Sequence, residues 1–235
     1  MLEYNPRKPL FSIHIPKCAG SAFSNILKSW FGTGYLRHYY NEQNNSPPER
    51  YKLKPNHING NVRDKICVHG HFNNNRKFGI RDYYPKATQI ITIMRDPFEL
   101  HLSNYFYVKQ LAISGGAYRS GKLHPIIKNG WNVEDYLENS RKSYILNFFP
   151  FDISLDNYQD VLSNQFIYIG ITEQLQKSIN ILANILGFQS YSVNKKNVSE
   201  WNETLPLNAR KKFKNDNKLE FAIYDYARNH WGNNF

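Results

Sequence analysis

Cysteine is almost missing from this chain: Cys18 and Cys67, far apart in sequence, are the only two among 235 residues. Two thiols make no disulfide framework, and such scarcity suits a reducing compartment. Long apolar runs are missing too. No stretch approaches the ~20 residues needed to span a bilayer, and Met1 to Pro9 is polar, without the apolar core of a signal peptide. The expectation is a cytoplasmic protein with no transmembrane segment. Acidic residues are in short supply, 19 against 30 lysines and arginines, for a formal charge of +11. That balance calls for an anionic partner: a nucleotide, a polyanionic glycan, a nucleic acid or a membrane surface. No Arg-rich block or RNA-binding signature interleaves with the aromatics, which sets nucleic acid aside.

What remains is ample for a folded core. A hydrophobic fraction of 41% and 15% aromatics argue against disorder. A chain of this length buries about 70–75% of its unfolded surface without disulfides or metal. A single domain over residues 1–235 is expected, since no repeat or clear linker interrupts it.

The most informative stretch runs from Phe11 to Phe23. The apolar run Leu10, Phe11, Ile13, Ile15 stops at Pro16; a compact Lys17-Cys18-Ala19-Gly20-Ser21 loop follows, and then Phe23, Ile26, Leu27, Trp30 and Phe31 recur at helical spacing. This is strand, tight turn and amphipathic helix. Such a turn aims backbone N–H groups and a helix N-terminus at one point, an anion site by construction, and Lys17 adds a full charge. An ordinary strand–helix connection is the plainer alternative. In a nucleoside-triphosphatase loop the lysine comes last, followed by a hydroxyl for magnesium; here the lysine comes first. Gly116 to Lys122 does fit that triphosphatase spacing, but it ends in Leu123 and no β-branched run precedes it.

Further strands are expected at Lys65–Phe72, Gln89–Met94 and Gln165–Ile171. After the second of these, Asp96 as N-cap and Pro97 at the first helical position start a helix through Tyr105 and Tyr107. Thr172 is expected to cap a helix with Leu175, Ile179, Leu182, Ala183 and Leu186 on one face, ended by Gly187. A final helix spans about Leu207 to Asn229, and Asn41 to Pro55 is a loop. Strands alternating with helices predict an α/β fold, a parallel sheet flanked by helices on both faces around a P-loop-like nucleotide-binding core. Ligands of such sheets bind at the carboxyl ends of strands. Lys17, His71 and Arg95 all follow such ends, so they are expected to converge on one cleft.

Two more segments carry chemistry. Arg95 and Ser103 flank the start of one helix and offer an anion a guanidinium and a hydroxyl, although Arg95-Asp96 would also serve as a simple capping pair. His69-Gly70-His71 sets two imidazoles on one side of a strand, with the glycine leaving room for an acceptor. A histidine near its unperturbed pKa is a usable general base. Cys67, His69 and His71 also permit a metal reading, but no second ligand cluster is obvious.

Taken together, Pro16-Lys-Cys-Ala-Gly-Ser21 resembles the 5′-phosphosulfate loop of sulfotransferases that use 3′-phosphoadenosine-5′-phosphosulfate (PAPS), with Ala22 where family members carry a second hydroxyl. Arg95, Asp96, Pro97, Ser103 and Tyr105 match the family's 3′-phosphate segment, with Leu100 in place of its second arginine. His69-Gly70-His71 resembles an element of the uronyl 2-O-sulfotransferases. Ile169-Gly-Ile-Thr-Glu173 and Val193-Asn-Lys-Lys-Asn197 resemble a strand-to-helix segment and a basic loop over the nucleotide.

The resemblance implies a PAPS-dependent carbohydrate sulfotransferase that needs no metal. His71, Lys17 and His69 are its implied catalytic residues. Lys17, Cys18, Ala19, Gly20, Ser21, Ala22, Arg95, Ser103 and Lys195 are implied to bind the anionic nucleotide donor. The partner would be a hydroxyl-bearing acceptor, expected to be a carbohydrate, and the basic loop Ser114–Trp131 with Arg119, Lys122, His124 and Lys128 is a candidate to meet it. The rivals are a nucleotide kinase or triphosphatase of the P-loop type, and a basic non-catalytic binder of glycan or nucleic acid.

Overall fold

The computed structural model describes residues 2–53, 57–58, 61–62, 65–116, 118–119, 122–140, 142–193, 205 and 207–232. The main sheet has five strands: β1 (Leu10–Ile13), β2 (Tyr35–His38), β3 (Cys67–Gly70), β4 (Ile90–Met94) and β5 (Tyr168–Ile171). They lie in the order β2-β3-β1-β4-β5, and every pair is parallel. β1, β3, β4 and β5 are buried throughout, which is why they read as near-continuous apolar runs. β2 is the exception. It is a half-exposed edge strand, Tyr-Leu-Arg-His, and its mixed composition gave no strand signal.

The helices longer than one turn are α1 (Gly20–Phe31), α2 (Pro97–Ile113), α3 (Val133–Asn139), α4 (Tyr158–Gln165), α5 (Leu175–Leu186), α6 (Ala209–Asp216) and α7 (Lys218–Gly232). Both faces of the sheet are covered. Phe23 of α1 packs edge-on to His69 of β3 at 5.8 Å. Phe11 of β1 points the other way, as alternation requires, against Tyr84 at 5.0 Å and Phe72 at 6.3 Å. The chain leaves β1 toward β2 and leaves β4 toward β5, in opposite directions along the sheet. The crevice between them is the switch point at which such sheets bind ligands.

α2 starts as its sequence predicts: the Asp96 carboxylate accepts the N–H groups of Phe98 and Glu99, and Pro97 occupies the first turn. This helix is apolar on two sides. Leu100 enters the main core, whereas Phe98, Leu102, Tyr105 and Val108 build a second one with Val133, Tyr136, Phe213 and Phe221. α2 is therefore held from both sides, with Tyr105 also donating to the Trp131 carbonyl at 3.2 Å.

Two boundaries differ from expectation. Thr172 does not cap α5. A short 3₁₀ turn over Thr172–Gln174 intervenes, the Thr172 hydroxyl donates to the Met94 carbonyl at 2.9 Å, and Ser178 Oγ takes the Ile171 N–H instead. The C-terminal helix is two helices, because Asn217 leaves helical geometry (φ −122°, ψ 37°), donates to the Phe213 carbonyl and accepts the Phe221 N–H. Gly187 ends α5 in the left-handed region at φ 68°, as expected. Among the described residues no helix is long and apolar enough to cross a membrane.

Candidate active site

The loop after β1 is bent twice through conformations that residues with a Cβ rarely adopt: Lys17 has φ 68° and Ala19 φ 55°. Each such residue costs on the order of 1–3 kcal/mol and tends to mark a functional site. Phe72, next to His71, is a third at φ 30°. Left-handed residues interspersed in a turn are the backbone pattern of anion nests, although here the Cys18 N–H is already taken by the Ile15 carbonyl at 3.3 Å. The first intrahelical bond of α1 is from Phe23 N–H to the Ala19 carbonyl, 3.0 Å. The amides of Gly20, Ser21 and Ala22 precede it and have no intrahelical acceptor. Neither a side-chain cap nor an acidic residue occupies this turn, so it presents uncompensated positive potential. Cys18 contributes backbone only: its thiol is buried, and burial pushes its pKa well up.

Arg95, leaving β4, donates from Nη1 to the Lys17 carbonyl at 3.3 Å. One hydrogen bond thus ties the segment after β4 to the loop after β1. The turn behind it is fixed by Glu173, whose Oε1 accepts the Asp96 N–H at 3.0 Å while Oε2 accepts from Tyr224 at 3.1 Å. The Gly-x-Thr-Glu segment therefore braces the end of β5 against the end of β4. Arg210, unmarked by any sequence motif, pairs with Asp96 and Glu99.

Lys17 Nζ lies 3.8 Å over the ring of Tyr107. Desolvation, with Arg95 adding repulsion, holds the Lys17 pKa below its ordinary value. Ser103 is one turn before Tyr107 on α2, hence on the same face, and is 5% exposed. Leu100 points into the core at 2% exposure, so an arginine there would not reach this face.

On the other side of β1 stands a histidine cluster. His71 Nδ1 donates to the His14 carbonyl at 2.9 Å, and its ring stacks on that of His14 at 4.4 Å. His69 is fully buried, shares a 2.9 Å hydrogen bond with Ser12 Oγ, and lies parallel to His14 at 5.4 Å. Burial and the neighbouring His71 lower the His69 pKa to about 3. His14 Nδ1 and the Tyr39 hydroxyl share a 2.8 Å bond. Gly70 does not open space for an acceptor, because a Cβ there would lie 1.8 Å from the His38 carbonyl oxygen of β2. Close strand packing requires this glycine.

The structure thus brings Lys17, Cys18, Ala19, Gly20, Ser21, Ala22, Arg95 and His71 to the carboxyl ends of β1, β3 and β4, with His69 sealed beneath and Ser103 about two turns into α2, on the face that carries Tyr107. Lys195 lies outside the described residues, as do the side chains of Arg119 and Lys122. His124 caps a short helix by accepting the Ile126 N–H. Among the described residues no group of three or more His, Cys, Asp or Glu side chains is placed to hold a metal ion. Sequence reasoning missed His14 and Tyr39. His14 stands two positions before the loop's proline with no spacing partner, and Tyr39 follows the unrecognised β2.

The family model described as "Sulfotransferase family" matches residues 2–227. No curated protein sequence matches the chain at a significant level. Among solved structures, mouse sulfotransferase SULT7A1 complexed with PAP is similar at a TM-score of 0.44 and 12% identity, covering 94% of this chain and 67% of that one. A sulfotransferase from Alicyclobacillus acidocaldarius is similar at a TM-score of 0.47 and 15% identity, covering 94% of each chain.

Proposed function

Because this chain belongs to the sulfotransferase family, we propose that it moves a sulfuryl group from PAPS to a hydroxyl of a carbohydrate acceptor, acting as one catalytic domain. The observation that carries the reading is the 3.3 Å hydrogen bond from Arg95 to the Lys17 carbonyl. It fixes two cationic, anion-receptive segments side by side, as a nucleotide with phosphates at both its 3′ and 5′ positions requires.

In this reading the amides of Ala19 to Ala22 and the Ser21 hydroxyl hold the 5′-phosphate. Arg95 and Ser103 hold the 3′-phosphate, and Lys195 is a further phosphate contact. The donor supplies an activated phosphosulfate bond. Like phosphoryl transfer, its displacement depends on positioning and charge stabilisation more than on covalent catalysis.

His71 takes the acceptor's proton, and its tautomer follows from its partner. A carbonyl oxygen only accepts, so the neutral ring carries its proton on Nδ1, toward His14, and its lone pair on Nε2. The acceptor oxygen bonds to sulfur as the bridging S–O bond breaks. The electron pair stays with the departing bisphosphate, where Lys17 and the α1 amides neutralise it. His69, sealed from solvent, acts beneath His71 and His14 rather than on the acceptor.

Thermal unfolding with a ligand panel tests this. Adenosine 3′,5′-bisphosphate should stabilise the protein by about 2.7 kcal/mol at 100 times its dissociation constant, and more than 5′-AMP, ATP–magnesium, heparin or RNA do. Equal shifts from the bisphosphate and 5′-AMP would remove the 3′-phosphate site; a larger shift from ATP–magnesium would favour a kinase or triphosphatase.

A further inference from the structure

The loop glycine, Gly20, has ordinary helical geometry; the left-handed positions of the loop belong to Lys17 and Ala19. What it provides is room. A Cβ at Gly20 would lie 1.6 Å from His14 Nε2 and 2.2 Å from Cδ2. The Nε2 end of the imidazole therefore occupies the place of a side chain at the first residue of α1, beside the amides that have no intrahelical acceptor. Among the described residues none of those amides donates to Nε2, and the side-chain hydrogen bond of His14 is through Nδ1 to Tyr39. Ser21 is the sole hydroxyl of this first turn, since Ala22 offers none.

We propose that His14 is a direct ligand of the donor's 5′-phosphosulfate: the Tyr39 hydroxyl donates to Nδ1, which places the ring proton on Nε2, and Nε2–H donates to an anionic oxygen at the α1 N-terminus. This rests on the donor reading given above and adds to it a binding residue outside the loop motif. A neutral histidine suits the position, because the ring lies against two others. His71 stacks on it at 4.4 Å and His69 lies at 5.4 Å, so a charge on His14 would oppose the one that His71 gains on taking the acceptor's proton. Burial, then His71 and His69, hold the His14 pKa down to about 2, which keeps it an uncharged donor. The same ring thus contacts the donor's anion at one edge and the base across its face. It sets the spacing between the group that is transferred and the group that receives the proton.

The test is calorimetric titration of the full chain with two probes, adenosine 3′,5′-bisphosphate and adenosine 3′-monophosphate, which lacks the 5′ anion. His14→Phe keeps an aromatic ring but removes the donor. It should weaken bisphosphate binding about ten- to a hundredfold, the range of one charge-assisted hydrogen bond, and leave the monophosphate within about twofold. His14→Gln, which retains an N–H donor, should recover part of the loss. Tyr39→Phe should weaken the bisphosphate alone, by about two- to fivefold, and it serves as the test if His14→Phe does not fold. Equal weakening of both nucleotides, or of neither, overturns the proposal while the donor reading stands. Wild-type protein that binds neither nucleotide overturns the donor reading, and this proposal with it.

Discussion

Gly20→Ala sets two well-characterised effects against each other. In a helix the substitution is ordinarily favourable, by up to about 1 kcal/mol. Here the new methyl would meet His14 Nε2 at 1.6 Å, and one of the two must move. The obstacle is the end of a side chain rather than backbone, so the ring can swing away. In doing so it gives up the 2.8 Å bond with Tyr39, worth about 0.5–1.5 kcal/mol. It also gives up its stacking on His71, worth about 0.5–1.5 kcal/mol if it behaves as an aromatic pair. The two losses together match or outweigh the helical gain, for a net destabilisation of about 0–2 kcal/mol. Urea unfolding of Gly20→Ala, His14→Ala and the double variant isolates the cause. In the His14→Ala background the clash is gone, so Gly20→Ala should be neutral or stabilising there. A single Gly20→Ala variant more stable than wild type would refute the argument, because the imidazole would then not occupy that space.

The roles of the two cations separate kinetically. Arg95→Ala should weaken bisphosphate binding by roughly 1.5–3 kcal/mol, read by titration. Lys17→Ala should lower kcat at saturating donor more than it raises the donor's dissociation constant, since its charge is needed most as the leaving group develops; retained kcat with lost binding would contradict that. His71→Asn should cost about 10²–10⁴ in turnover on a glycan panel with donor binding nearly intact, and near-wild-type turnover would place the base elsewhere. Stability should fall with acidity. Burial lowers the pKa of His14 to about 2, His69 to about 3, and His38 and His101 to about 4. The unfolded chain therefore binds protons below about pH 6.5 that the fold refuses, and stability is lost as pH drops from there. Glu220 works the other way: burial raises its pKa to about 7, so its contribution is lost as pH rises from about 4.5 to 7. Glu220→Gln should then be more stable than wild type at pH 8 and not at pH 4.5, as urea midpoints at the two pH values would show.

Much of the architecture lay on the surface of the sequence because its signals are local. Buried parallel strands advertise themselves as apolar runs, and Asp96-Pro97 and Gly187 punctuate helices by the geometry they require of their own backbone. The strand, loop and helix around Lys17 were legible for the same reason: strand, tight turn and amphipathic helix occupy one continuous stretch. Pairing over long separations was not legible. β2 gave no signal, being an edge strand with one side in solvent, and with it went Tyr39 and the near contact that makes Gly70 obligatory. Glu173, Arg210 and Tyr224 lie 77 to 128 residues beyond Asp96 and meet its turn only because the sheet order and the second core fold them back onto α2. The pattern of apolar runs and helical spacings pointed to a parallel α/β fold, and the charge balance to an anionic partner. Only the tertiary structure, by laying β1 between β3 and β4, decided that Arg95 reaches the Lys17 carbonyl and that the His14 imidazole fits where Gly20 has no side chain.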